Sequence, residues 1–172
     1  MREFVCQVMM DYSFVVIFLH VVSAAIWLGA MVALWFINRK ASSSIPVERR
    51  FSGRAELFKK FFLFLAPFII IVFITSFFLS LGYRDAAIDA DGFIIDQDKL
   101  NIYKYINIKG AIWIVMSMNM LFMLWIINKA SCRLCKTQTA NECMWLINLY
   151  LLPINIALGI IEIYLGVFLG HS

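Results

Sequence analysis

Apolar residues are concentrated in four runs, at about residues 12–37, 61–81, 106–128 and 143–169. Each run reaches the roughly 20 residues that a helix needs to cross the hydrocarbon core of a bilayer. The first run is too long for the apolar part of a cleaved secretory signal, so we interpret it as a retained helix. The pattern predicts an all-α polytopic membrane protein, a bundle of four transmembrane helices that forms one integral membrane domain over residues 1–172.

Composition supports a membrane protein and not a water-soluble domain. The chain of 172 residues is 63% hydrophobic and only 15% charged, too few charged residues to cover a soluble surface. The net charge of +4 comes from the connections between the helices, and we do not interpret it as nucleic-acid binding. The lipid bilayer is the expected partner.

The charges of the connections predict an orientation. The first and third connections are basic, whereas the second is acidic. The basic residues of these two connections are Arg39, Lys40, Arg49, Arg50, Arg54, Lys59, Lys60, Lys129, Arg133 and Lys136. Because Lys and Arg in short loops mark the cytoplasmic side, we expect a bacterial inner-membrane protein. Loops 38–60 and 129–142 would be cytoplasmic, and both termini and the acidic loop would lie outside.

Three ionisable residues, His20, Lys109 and Glu162, fall inside the apolar runs. At 1.5 Å per residue they would lie about 12, 5 and 10 Å below the outer helix ends, so all three are expected in the outer half of the membrane. Ionisable groups in hydrocarbon are unfavourable and therefore suggest function. A purely structural Lys109–Glu162 ion pair and a lysine that extends to the interface are the alternatives.

The first helix presents two different faces. His20 and Trp27 are seven residues apart and share one face, which could line a cofactor pocket. Ala25, Gly29 and Ala33 recur every four residues on roughly the opposite side. Such a stripe of small residues permits close approach of another helix.

The segment "LHVVSAAIWLGAMVALWFINRK", followed by the basic "RRFSGRAELFKKF", resembles the opening of the copper resistance D (CopD) domain. It is also similar to membrane protoporphyrinogen oxidases of the HemJ type. "YINIKGAIWIVM", around Lys109, looks like the lysine-bearing third helix of the HemJ type. The resemblance implies a four-helix bundle, haem b or copper handling, and a role for His20, with Lys109 as a second candidate. The chain departs from the HemJ pattern after Trp35, where it reads "WFINRKASSS" and lacks a Pro-Arg-Leu segment and a further histidine.

Haem b binding is the first functional hypothesis. A neutral imidazole is a good axial ligand of haem iron, and His20, Trp27, Lys109 and Glu162 are the expected cofactor-binding residues. The sixth position would be open or taken by His171, Lys109 or Met116; alternatively, Lys109 would pair with a propionate. Whether such a protein is an enzyme stays open.

Copper transport or tolerance is the second hypothesis. Soft sulfur ligands favour Cu(I), and imidazole also suits copper. An early start of the first helix would bring Cys6 and Met10 to the face of His20.

The third hypothesis is a non-catalytic membrane subunit or assembly factor in which the ionisable residues only fix packing. A homo-oligomer or another membrane subunit is a further possible partner.

Overall fold

The computed structural model describes residues 2–44, 50–89, 91–132 and 143–170. Within these ranges the chain is helical apart from a short loop, and the only β-pairing is an isolated bridge between Ile88 and Ile94. The helices are α1 (Arg2–Ser44), α2 (Arg50–Ala87), α3 (Gln97–Cys132) and α4 (Leu152–Gly170), with a π-helical segment at Ile147–Leu151 before α4. Residues 143–146 are also helical. The predicted all-α class is confirmed.

Four segments of these helices are long and apolar enough to cross a membrane: Asp11–Lys40, Gly53–Ala87, Gln97–Lys129 and Cys143–Val167. The helices extend beyond the predicted apolar runs. Much of the predicted loop 38–60 is helical, since α1 continues to Ser44 and α2 begins at Arg50. Apolar runs mark only the part of a helix inside hydrocarbon, and Lys, Arg and Glu continue a helix readily beyond it. In α1 the helical geometry is interrupted at Tyr12 (φ −130°, ψ 19°), near the predicted start of the span.

A capping interaction explains why α3 begins about nine residues before its apolar run. The carboxylate of Asp96 accepts hydrogen bonds from the backbone amides of Asp98 (3.0 Å) and Lys99 (3.1 Å), which is the N-cap arrangement. The preceding loop turns at Gly92, whose φ of +87° is accessible to glycine at little cost. The acidic connection is therefore a compact turn joined to a capped helix.

The two prolines inside the apolar runs have different surroundings. Pro67 lies within the continuous helix α2, whereas Pro153 follows the π-helical segment. The amide of Leu152 donates to the carbonyl of Ile147, one residue further back than in an α-helix. The sequence predicts a kink at both prolines, because proline lacks an amide donor; α2 is continuous through Pro67, whereas a π-turn precedes Pro153.

The distribution of exposed side chains is that of a lipid-facing protein. Large apolar side chains are turned outward, including Phe14 (78% exposed) and Leu63 (77% exposed), while Asn38 and Asn155 are fully buried. In water this arrangement would be unfavourable, but hydrocarbon solvates apolar surfaces and leaves amides in need of partners. The described helices therefore suit contact with a lipid bilayer.

The chain divides into two compact units. Unit 1 contains residues 1–26, 67–113 and 162–172, and unit 2 contains residues 27–66 and 114–161. Thr75 and Val72 are buried in unit 1 together with Val16 and Ser23. Unit 2 has a core rich in methionine, leucine and isoleucine, with five methionines that are almost completely buried. These methionines are Met31, Met116, Met120, Met123 and Met144.

The predicted close approach along the small-residue stripe is not formed within the described chain. Ala25, Gly29 and Ala33 are all exposed, and a Cβ atom added at Gly29 would meet nothing within 4 Å. A close approach occurs instead in unit 2 at Gly159, where an added Cβ would lie 2.5 Å from Cδ1 of Leu28. Spacing alone identified a face of α1 without identifying whether another helix covers it.

Candidate functional site

His20, in the α1 segment of unit 1, contacts two hydroxyl groups of α2. Its Nδ1 atom lies 3.0 Å from Oγ1 of Thr75 and 3.4 Å from Oγ of Ser76. Thr75 is buried and His20 is half-buried. The nearest polar partner of the imidazole is therefore Thr75 on α2.

The hydrogen bonds of Thr75 favour one tautomer of His20. Oγ1 of Thr75 lies 2.7 Å from the carbonyl oxygen of Ile71, to which it donates. A hydroxyl has a single proton but can accept as well, so with its proton at Ile71 the oxygen Oγ1 is an acceptor for a proton on Nδ1 of His20. We infer that the neutral imidazole has its lone pair on Nε2. This is how a partner hydrogen bond orients a histidine that binds a metal through its other nitrogen.

Lys109 and Glu162 form an ion pair between α3 and α4, also in unit 1. Nζ of Lys109 lies 3.9 Å from Oε2 of Glu162, and the two side chains are 22% and 19% exposed. The second carboxylate oxygen, Oε1, is buried and has no hydrogen-bond partner among the described residues. Gly166 makes room for the ammonium group, because a Cβ atom there would lie 3.1 Å from Nζ. The two side chains are close enough for an ion pair, but Oε1 of Glu162 accepts no hydrogen bond from the described residues.

Unit 1 thus contains all three ionisable residues of the apolar runs. Lys109 pairs with Glu162, and His20 lies in the same unit. Trp27 belongs to unit 2, where it is buried and its Nε1 donates to Sδ of Met120 at 3.1 Å. Met116, a candidate sixth ligand, is buried in unit 2 as well.

The remaining metal candidates are not described. The side chains of Cys6 and Met10 and the whole of His171 lie outside the described residues. Among the residues that are described, no group of three or more His, Cys, Asp or Glu side chains is placed to hold a metal ion. The copper hypothesis that includes Cys6 and Met10 stays a prediction.

Sequence reasoning missed an asparagine network in unit 2. Nδ2 of Asn119 donates to Oδ1 of Asn155 (2.7 Å) and to the carbonyl of Leu151 (2.9 Å). Asn155, which is fully buried, donates to the carbonyl of Met116 at 3.2 Å. The available signal was the presence of asparagines inside apolar runs, since amides in hydrocarbon need partners on other helices.

A second part of this network serves the π-turn. In an α-helix the carbonyl of Asn148 would accept from the amide of Leu152, but that amide donates to Ile147. In a π-helix the carbonyl of Asn148 would accept from the amide of residue 153, but residue 153 is proline and has no amide proton. Nε1 of Trp35 supplies the donor at 3.2 Å, and Nδ2 of Asn38 donates to Oδ1 of Asn148 at 2.7 Å. Side chains of α1 thus replace the missing backbone bond.

These features define a class: an all-α membrane protein in which one unit holds a His–Thr pair and a Lys–Glu pair, and the other holds an asparagine network around a π-turn. Comparisons of the chain with family models, with curated proteins and with solved structures found no match. Its function is therefore argued from the geometry of unit 1.

Proposed function

We propose that this protein binds haem b in unit 1, with Nε2 of His20 as an axial ligand of the iron. The observation that carries the proposal is the hydrogen bond between Nδ1 of His20 and Thr75. This bond favours the tautomer that an axial ligand needs, and it would orient the ring with Nε2 available to the iron. Bound haem would supply one-electron redox chemistry, which the side chains of this chain do not provide.

Lys109 has two candidate roles in this proposal, as a sixth ligand or as a partner of a haem propionate. Its ion pair with Glu162 favours the second role, because a lysine binds iron only after losing its proton, whereas an ion pair uses the charged ammonium group. An ammonium group can then donate to a propionate oxygen. Glu162 would hold Lys109 in position rather than contact the iron.

The experiment is a haemin titration of the purified full-length protein, followed by its absorption spectrum. Wild-type protein is expected to develop a Soret band at one haem per chain, and His20→Ala is expected to lose it. His171→Ala replaces the only other histidine, a candidate sixth ligand; it is expected to keep the band, shifted at most, and loss of the band in this variant would assign the axial role to His171 instead. Failure of the wild type to bind haemin stoichiometrically, or an unchanged band in His20→Ala, would contradict the proposal.

A non-catalytic membrane subunit is the second candidate, and the Lys109–Glu162 ion pair favours it, because buried ion pairs can serve only to fix helix register. In that case His20→Leu should reach normal membrane levels without any change in phenotype. Metal analysis of the same preparations tests the copper alternative, which predicts copper bound through Cys6, Met10 and His20 and lost when they are replaced.

For the cellular location we propose the bacterial inner membrane, with both termini outside. Basic side chains at one end of unit 2 support this orientation. Nζ of Lys129 lies 4.6 Å from the ring centre of Trp125, and the guanidinium carbon of Arg39 lies 4.9 Å from that of Trp35. Tryptophan and basic residues together are typical of the cytoplasmic membrane interface. Reporter fusions at residues 45 and 137 should report the cytoplasm.

A further inference from the structure

The ion pair in unit 1 has an unfilled hydrogen-bonding requirement. The distance of 3.9 Å between Nζ of Lys109 and Oε2 of Glu162 is too long for a hydrogen bond. Oε1 of Glu162 is buried and has no partner in the described structure. A buried carboxylate oxygen without a donor is strongly unfavourable. A ligand that donates a hydrogen bond to Oε1 would remove this cost.

A hydroxyl group has the required chemistry. Its proton would be donated to Oε1 of Glu162, while its oxygen would accept from Nζ of Lys109. Gly166 leaves space beside Nζ that any side chain would reduce. Both charged side chains are about one-fifth exposed, so a molecule dissolved in the membrane can reach the pair, although Oε1 itself is covered and has to be uncovered when the ligand binds. The phosphodiester group of a lipid has acceptors only, and by itself it would satisfy Lys109 while leaving Oε1 without a donor.

An aromatic pair one helical turn from Lys109 offers a surface to a planar ligand. Trp113 follows Lys109 by one helical turn and so lies on the same face of α3. Its ring centre is 5.6 Å from that of Phe73 on α2, with an angle of 32° between the planes. Phe73 is 55% exposed. Aromatic rings bind other rings by offset stacking or edge contacts, so these two side chains offer a planar ligand a surface next to the polar groups.

We propose that Lys109 and Glu162 bind the hydroquinone headgroup of a membrane quinol. One ring hydroxyl bridges Oε1 of Glu162 and Nζ of Lys109, and the ring lies along Phe73 and Trp113. The oxidised quinone lacks the hydroxyl proton and leaves Oε1 unsatisfied, so the site prefers the reduced form. Quinol binding does not require haem, and in this proposal Lys109 binds the quinol hydroxyl in place of the haem propionate considered above.

The test measures binding of a short-chain ubiquinol to the full-length protein in nanodiscs under anaerobic conditions, by calorimetry. We expect saturable binding of one quinol per chain, and binding of the corresponding quinone at least about tenfold weaker. Loss of a charge-assisted hydrogen bond predicts a weakening of about tenfold or more in Glu162→Gln and Lys109→Met. Glu56→Gln makes the same chemical change at an exposed ion pair with Lys60 and should bind as the wild type does.

Gly166→Val provides a second test that keeps both charges, because the added side chain crowds Nζ of Lys109; it should also weaken binding. Each variant is compared only if its helical content and thermal transition match those of the wild type. His20→Ala, which removes the proposed haem ligand, should still bind quinol, so the two proposals fail separately. Absence of saturable quinol binding, equal affinity for quinol and quinone, or wild-type affinity in both Glu162→Gln and Gly166→Val would overturn the proposal.

Discussion

The hydroxyl of Thr75 lies 3.0 Å from Nδ1 of His20 and donates its own proton to the carbonyl of Ile71, which favours the imidazole tautomer protonated at Nδ1. Thr75→Val keeps the shape of the side chain but removes this acceptor. We expect nitrogen NMR of labelled imidazole to change from one tautomer to a mixture. Haemin affinity should fall about 10–100-fold, as for other partners that orient a metal-binding histidine.

The control for this prediction is Thr75→Ser, which retains the hydroxyl and should preserve the tautomer and the affinity. Ser76→Ala should have a smaller effect, because its oxygen is further from Nδ1, at 3.4 Å. If Thr75→Val leaves both the imidazole spectrum and the haemin affinity unchanged, Thr75 does not position His20.

Asn155 joins α4 to α3 in unit 2, and its removal should destabilise the protein. Asn155→Leu leaves the amide of Asn119 and the carbonyl of Met116 with one partner fewer each. Leaving a buried polar group unsatisfied costs about 1–3 kcal/mol, and we expect a loss of that order. The measurement is unfolding in mixed micelles titrated with denaturing detergent.

Asn128→Leu is the matched control for Asn155→Leu, since Asn128 lies on α3 and is exposed. Its effect on the free energy of unfolding should remain within about 0.5 kcal/mol. Equal effects of the two substitutions would show that the asparagine network contributes nothing specific to stability.

The sequence is sufficient to predict the helical class because each apolar run is long enough to cross a bilayer, and this signal does not depend on partners. It could not predict the helix ends. The start of α3 depends on the carboxylate of Asp96, and α1 continues past its apolar run to Ser44. Caps and polar extensions depend on individual side chains and not on the hydrophobic period.

The candidate site was partly accessible from the sequence. Depth along the helices suggested that His20, Lys109 and Glu162 lie at similar levels, and all three belong to unit 1. Thr75 could not be predicted as the partner of His20, because helix rotation decides which residue of α2 faces α1. The asparagines were missed for a related reason: an uncharged amide in an apolar run is only moderately unfavourable, and its partners lie on other helices.

Trp35 donates to a carbonyl of the π-turn, so we expect the effects of Trp35→Phe and Pro153→Ala on the free energy of unfolding to be non-additive. Trp35→Phe removes the donor to the carbonyl of Asn148 and should cost about 1 kcal/mol. In a Pro153→Ala background the new amide at position 153 can donate to that carbonyl, so the same substitution should cost less. A double-mutant cycle should therefore give a coupling energy of about 0.5–1 kcal/mol.

Trp125→Phe is the control for the Trp35 cycle, because Trp125 is exposed and lies on α3, away from the π-turn in sequence. Its effect should be the same with proline or alanine at position 153. Strict additivity of Trp35→Phe and Pro153→Ala would mean that Trp35 does not replace a backbone donor.

The cap of α3 should depend on pH. The hydrogen bond from the backbone amide of Lys99 lowers the pKa of the Asp96 carboxyl below its ordinary value of 3.8. A carboxyl whose pKa is lower in the folded state stabilises that state fully above its unfolded pKa, and the contribution is lost as pH falls through the folded pKa. Hydrogen exchange at the amides of Asp98 and Lys99 should therefore lose protection at acid pH below 3.8.

Asp96→Asn keeps an acceptor without the titrating charge and should remove this pH dependence, whereas Asp91→Asn, in the same acidic turn, should retain it. Identical acid profiles in the wild type and Asp96→Asn would show that the charge of Asp96 does not stabilise the start of α3.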